Sequence, residues 1–151
     1  MKPAALLFTA LSLCWACDCT EPSVEAKRSH AELIFRGTII ELRDASQTAN
    51  TYSVLTRYIK KTVVFRVSRV WKGNVGQTFE MPAVEETSAC IGFWPAFLKV
   101  GQDLLVYAGR FGGAEYLTSI CGNHKPAMSA GEDFRALGPG KEPQKSAQAS
   151  K

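Results

Sequence analysis

Thr62 to Trp71 reads "TVVFRVSRVW". Val63, Phe65 and Val67 fall on one side of an extended chain, while Arg66 and Ser68 fall on the other. Successive strand residues point to opposite faces, so this period of two marks a half-buried β-strand. The segment upstream, "AELIFRGTIIELR" (Ala31 to Arg43), is β-branched and alternating. It reads as a long strand in which Gly37 permits a bulge or bend. Downstream, "KGNVG" is a turn and "QTFEMP" (Gln77 to Pro82) a shorter strand. "DLLVYAG" (Asp103 to Gly109) and "EYLTSIC" (Glu115 to Cys121) flank the Gly-rich "RFGGA" and predict a hairpin.

Two short helices complete the set. "PSVEAKRSH" (Pro22 to His30) has Ser23 as its expected N-cap and Glu25 near the positive end of the dipole. In "SAGEDFRALG" (Ser129 to Gly138), Ser129 and Glu132 have capping-box spacing and Gly138 stands at the stop. The polar "DASQTANTYS" reads as an exposed loop, and the Lys-, Gln- and Ser-rich tail after Pro139 has little to bury and reads as disordered. Five strands, one bent at a glycine, predict an all-β fold with short helices: a five-stranded, OB-like Greek-key barrel. An open sandwich would leave alternating edges exposed, whereas closure hides them.

Length and composition agree with one such domain. The chain has 151 residues, 46% apolar and 21% charged, which suits a self-sufficient core. The formal charge of +4 includes Lys2, and no basic run is present, so neither nucleic acid nor an anionic membrane is demanded as partner. Residues 1–16 read as a secretory signal. Lys2 is the positive n-region, Ala4 to Leu13 the apolar h-region, and "CWA" (Cys14 to Ala16) puts small residues at the third and first positions before a cut. That division gives a signal peptide at 1–16, a barrel domain at 17–138 and a tail at 139–151. Cleavage discards Cys14 and leaves Cys17, Cys19, Cys90 and Cys121, enough for two disulfides in an exported chain. The expected location is extracellular, or periplasmic in a bacterium.

Cys17 and Cys19 are two apart, so an extended backbone turns both to one face. A direct Cys17–Cys19 bridge closes a tiny strained ring. Two long-range bridges close loops of about 70 to 100 residues, each worth roughly 4.5 kcal/mol in the chain-entropy view. Such bridges also hold the new α-amine of Cys17 rigidly, which preorganises it to bind.

A mature start of Cys-x-Cys ("CDC"), a distant Ser-x-Cys ("SAC") and a last cysteine in "TSIC" resemble the N-terminal inhibitory domain of the tissue inhibitors of metalloproteinases, a netrin-like OB barrel. The likeness runs from Cys17 to Cys121. It implies the pairs Cys17–Cys90 and Cys19–Cys121. It also implies that the amine nitrogen and carbonyl oxygen of Cys17 chelate the zinc of a target protease, displacing its water. The resemblance places Asp18 in the pocket beside that zinc. Cys19, Thr20 and the ridge Thr87, Ser88 and Ala89 become further protease contacts. Family members carry Ser or Thr where this chain has Asp18, and a buried carboxylate needs a cation to meet it. The family's third bridge in this domain has no counterpart here.

Other readings differ in class. A zinc site from Cys17, Cys19, Cys121 and His124 competes with oxidation of the same thiols. Phe65, Trp71, Tyr107 and Tyr116 suit either the core or base stacking. "GFWPAF" (Gly92 to Phe97) either caps the barrel or forms an apolar patch for a partner. His30 reads as a surface residue, and Glu85 and Glu86 as a solvated loop. Lipidation of Cys17 would make a membrane-anchored envelope protein, but Cys14 and Trp15 stand where a lipobox wants Leu and a small residue. No nucleophilic triad or carboxylate pair is supported, so no enzyme and no cofactor are expected. The expectation is a monomeric metalloprotease inhibitor, with a netrin-like binding module as the alternative.

Overall fold

The computed structural model describes residues 19–44, 59–84, 90–111 and 115–145. In order these form α1 (Val24–His30), β1 (Leu33–Asp44), β2 (Ile59–Lys72), β3 (Thr78–Val84), β4 (Asp103–Arg110), β5 (Tyr116–Leu117), β6 (His124–Pro126) and α2 (Gly131–Leu137). Among the described residues these strands all pair antiparallel, in the order β3-β2-β1-β4-β5, with β6 also on β4. The two ends of this path approach each other. Phe79 of β3 meets Tyr116 of β5 with ring centroids 6.1 Å apart, and an Ile91–Ser119 bridge joins the segments that follow them. The result is the expected fold, a nearly closed five-stranded OB-like barrel with two short helices.

Bulges let the sheet curl. The β1–β2 register shifts at Ile34/Phe35, Arg36/Gly37 and Ile39/Glu41, and each shift adds local twist and bend. At Gly37 a methyl group would come within 3.2 Å of both the Phe65 Cβ and the Arg66 carbonyl. The absent side chain lets β1 lie close on β2 at this bend.

Two apolar layers form on opposite faces of the sheet. Inside the barrel, Phe35, Ile39, Val63, Phe65, Met81, Leu104 and Val106 are fully buried, with Phe65 edge-on to Phe35. Outside it, Ile34, Leu105 and Tyr107 pack under Ala31 and Ala130, flanked by Trp71 and Phe134. β1 and β4 are therefore covered on both faces. This explains why "LIF" and "LLVYA" are continuous apolar runs whereas β2 alternates.

Ser23 caps α1, accepting the Ala26 amide at 3.2 Å. The capping box at Ser129 does not form. Ser129 ends a 3₁₀ turn (Ala127–Ser129), and α2 starts two residues later at Gly131, with Ala130 at the N-cap and no side-chain cap. Burial of Ala130 in the outer layer sets that start. Gly138 stops α2 with φ +76°, a left-handed conformation that favours glycine.

The tail reading needs a second correction. Residues 139–145 are ordered against β2 and the turn that follows it, through reciprocal Val70–Lys141 backbone hydrogen bonds at 2.9 and 2.7 Å and Gln144 bonds to Val75 and Gln77. β3 pairs with β2 only as far as Arg66. The open β2 edge beyond it must find backbone partners, and this polar strap supplies them despite having little to bury. Of the expected loop at 44–53, Asp44 instead ends β1 and the rest lies outside the described residues, as do residues 146–151 and Cys14.

Candidate functional site

The β4 strand has two successive partners on one side. Tyr116 and Leu117 pair with Arg110 and Gly109, and His124 to Pro126 resume the pairing from Val106. Between them, residues 118–123 leave the ladder as a small excursion. The expected strand Glu115 to Cys121 is thus only two residues long, and Cys121 sits in the excursion's turn. Ser119 stabilises it: its Oγ donates to the Cys90 carbonyl at 2.8 Å and accepts the Cys121 amide at 3.1 Å.

That excursion carries the chain's N-terminal fastening. Cys19 and Cys121 are joined by a disulfide. Cys90 is also disulfide-bonded, to a partner outside the described residues. Its sulfur lies within 4.8 Å of those of Cys19 and Cys121. Cys90 adopts φ +58°, a left-handed conformation uncommon for a residue with a side chain. Its carbonyl accepts from the Ile120 amide at 3.0 Å as well as from Ser119, so the neighbouring turn holds it there.

Two residues beyond Cys19, Glu21 enters a closed ring of alternating charge. Its Oε1 accepts from Lys27 Nζ at 3.2 Å and from Lys125 Nζ at 2.6 Å. Lys27 reaches Asp133 Oδ1 at 2.8 Å, and Lys125 reaches Asp133 Oδ2 at 3.0 Å. The Tyr107 hydroxyl donates to the same Asp133 Oδ1 at 2.8 Å. Lys27 and Asp133 are almost wholly buried, while 57% of the Glu21 side chain is exposed. The ring ties the N-terminal segment to α1, β6 and α2.

The ring's electrostatics follow from these contacts. The Lys125 ammonium, hydrogen-bonded to Glu21, holds that carboxyl below the usual carboxylate range. Burial alone would raise Asp133, but hydrogen bonds from Lys27, Lys125 and Tyr107 outweigh it and keep the carboxyl low. Burial, reinforced by the bond to Asp133, pushes the Tyr107 hydroxyl far up. Desolvation works against the Lys125 cation, and Glu21 and Asp133 overcome it, raising its value.

Beside the disulfide lies an open groove of about 250 Å³, lined by Cys19, Glu21, Trp94, Phe97, Ile120, Cys121, Gly122, His124 and Lys125. "GFWPAF" divides between its two expected roles. Phe93 is buried against Phe65 and His124 and plugs the barrel end. Trp94 stays 46% exposed, its indole N–H fixed to the Ile120 carbonyl at 2.8 Å. His124 forms part of the wall, packed against the rings of Phe93 and Phe97. Its Nε2 accepts the Trp94 amide at 3.0 Å, which places the ring proton on Nδ1, 3.1 Å from the Ser119 carbonyl. Burial pushes this imidazole down to about 4, with the Ser119 bond opposing only in part.

These contacts decide between several sequence readings. A zinc set of Cys17, Cys19, Cys121 and His124 is not supported. Cys19 and Cys121 are oxidised to each other, and both nitrogens of His124 are engaged. Phe65 and Tyr107 are core residues, Trp71 stacks on Phe134, and Tyr116 lies under Arg110, so the proposed stacking residues do not form one exposed platform. His30 is exposed at the end of α1, as expected. Of the predicted contact residues, Cys19 lines the groove and Thr20, exposed, follows it in the ledge of chain between the disulfide and Glu21. Cys17, Asp18, Thr87, Ser88 and Ala89 lie outside the described residues, with Glu85 and Glu86.

The charge ring was not anticipated from the sequence. No sequence spacing connects Glu21, Lys27, Lys125 and Asp133, whose partners lie up to 106 positions apart. The available signal was weak: Lys27 and Asp133 interrupt the apolar faces of two short helices. Comparison with known proteins adds no assignment, since no family model and no curated protein matches the chain.

Proposed function

We propose that this chain is a secreted inhibitor of a zinc metalloprotease, built on the plan of the tissue inhibitors of metalloproteinases. The observation that carries the reading is the double fastening of the segment just after its N-terminal cysteine. Cys19 is bonded to Cys121, and Glu21 is held by Lys27 and Lys125. A chelating main chain gains affinity when its geometry is set before binding, and this ledge is suited to that task. The nearby sulfur of the disulfide-bonded Cys90 is compatible with a Cys17–Cys90 bridge. In this reading the amine and carbonyl of Cys17 occupy the open coordination position of the target's zinc. Asp18 enters the adjoining pocket and meets a cationic group there, while Thr20 and Thr87 to Ala89 extend the contact.

The test begins with intact mass and N-terminal sequencing of the secreted protein, which should show a start at Cys17 and no free thiol. Inhibition constants against a panel of zinc endopeptidases then compare wild type with a form carrying one extra N-terminal alanine. The extension should abolish inhibition without lowering Tm, because it removes the chelating amine and leaves the barrel untouched. An extended protein that inhibits as well as wild type would refute the mechanism. Trp94 favours a second reading, a netrin-like extracellular binding module. A half-exposed tryptophan fixed by a hydrogen bond is a rigid anchor of the kind found in protein interfaces. Failure of wild type to inhibit any member of the panel would select that reading.

A further inference from the structure

We infer that Glu21 and Lys125 are positioning residues that set the register of the N-terminal segment, and through it the potency of the inhibitory end. This rests on the inhibitor reading and deepens it. A disulfide restrains the distance between two backbones but leaves rotation about its own bonds. Cys19 alone would act as a pivot; in the inhibitor reading Cys17 is pinned as well, and the grip on Glu21 supplies the downstream point that fixes the segment's direction. Two residues later, the Glu21 carboxylate is gripped from two directions by Lys27 and Lys125, which are themselves fixed on opposite sides of Asp133. The Glu21 side chain also lies against Gly122, where a methyl group would come within 2.7 Å of its Cγ. The chain between pivot and grip is too short for slack, since a residue spans at most about 3.6 Å.

The ring's make-up favours this role over simple stabilisation. Buried ion pairs lose hydration, and apolar replacements often stabilise as well or better. What charges supply is direction. Glu21 itself is 57% exposed, so its pairs contribute little to global stability, yet it is the ring member attached to the N-terminal segment.

The experiment compares wild type, Glu21→Ala, Lys125→Met and a core control, Val63→Ala, by amide exchange of the peptide around residues 19–23, by Tm and by inhibition constant. Glu21→Ala and Lys125→Met should raise N-terminal exchange and the inhibition constant about tenfold, with Tm moved by no more than about 4 °C in Glu21→Ala and by more in Lys125→Met, which also takes a cation from buried Asp133. Val63→Ala should lower Tm by more while leaving the inhibition constant unchanged. Unaltered N-terminal exchange in both ring variants would overturn the inference whatever the inhibition data. Faster exchange with unaltered inhibition would overturn the link to potency and leave the inhibitor reading standing. Potency that tracks Tm across all four proteins, the control included, would reduce the ring to a structural role. A wild type without inhibitory activity would defeat the inhibitor reading and the potency link with it, while the exchange data would still judge the clasp.

Discussion

Replacing His124 with Gln should flatten the dependence of stability on pH in mild acid. In the folded protein the imidazole is held down at about 4, against an ordinary value of 6.5, because burial disfavours its cation. The unfolded chain therefore binds a proton between about pH 6.5 and about pH 4 that the folded chain refuses. Stability is full above the unfolded value and is lost as pH falls towards the folded one. The difference corresponds to about 3 kcal/mol, with a steepest slope of about 1.4 kcal/mol per pH unit. Glu21 and Asp133, whose folded values are lowered, contribute stability that is present above their unfolded carboxylate values and lost below them. Their loss lies mainly on the acid side of the His124 window. Urea unfolding of wild type and His124→Gln at several pH values, with disulfides intact, reads out the difference. The variant will start less stable, because contacts with Phe93 and Phe97 are lost, so the slope is the diagnostic quantity. Parallel curves for the two proteins from about pH 7 to about pH 4 would show that the buried neutral imidazole is not the cause.

The buried half of the ring makes a second prediction. Lys27→Met should lose about 3 kcal/mol, because Asp133 keeps its burial and loses a cation. Adding Asp133→Leu and Tyr107→Phe should bring the protein back to within about 1 kcal/mol of wild type, since no buried polar group is then stranded. Losses that simply add, measured by urea unfolding, would contradict that account. A third concerns the disulfide. Cys19→Ser with Cys121→Ser opens a link spanning 102 positions, and the chain-entropy view expects a loss of about 3 to 5 kcal/mol. A double variant as stable as wild type would mean that the bond serves only to hold the N-terminal segment.

Much of the barrel was legible because each strand carries its own signal. The alternation of Val63, Phe65 and Val67 marks β2, and Gly37 marks the bend of β1. The Ser23 cap and the Gly138 stop are equally local, each satisfied by backbone groups within a few residues. Where readings failed, a distant partner intervened. The capping box at Ser129 gave way because Ala130 is drawn into the outer layer. The tail acquired order from an open β2 edge some 70 positions earlier, through the Val70–Lys141 pair.

The site divides in the same way. Cysteine count and spacing alone pointed to two disulfides and to a fastened N-terminus, since oxidation chemistry depends on residue type and compartment. By itself, then, the sequence determined strand period, turn and cap chemistry, and the crowding of thiols at one end. Only tertiary structure decided that Trp94 is exposed while Phe93 is buried, that His124 is neutral, and that four charges close a ring around the segment after Cys19. Those outcomes depend on desolvation and on distances between groups far apart in the chain. Periodicity carries no information about either, because the energy of a charge or an indole is set by what surrounds it rather than by its neighbours in sequence.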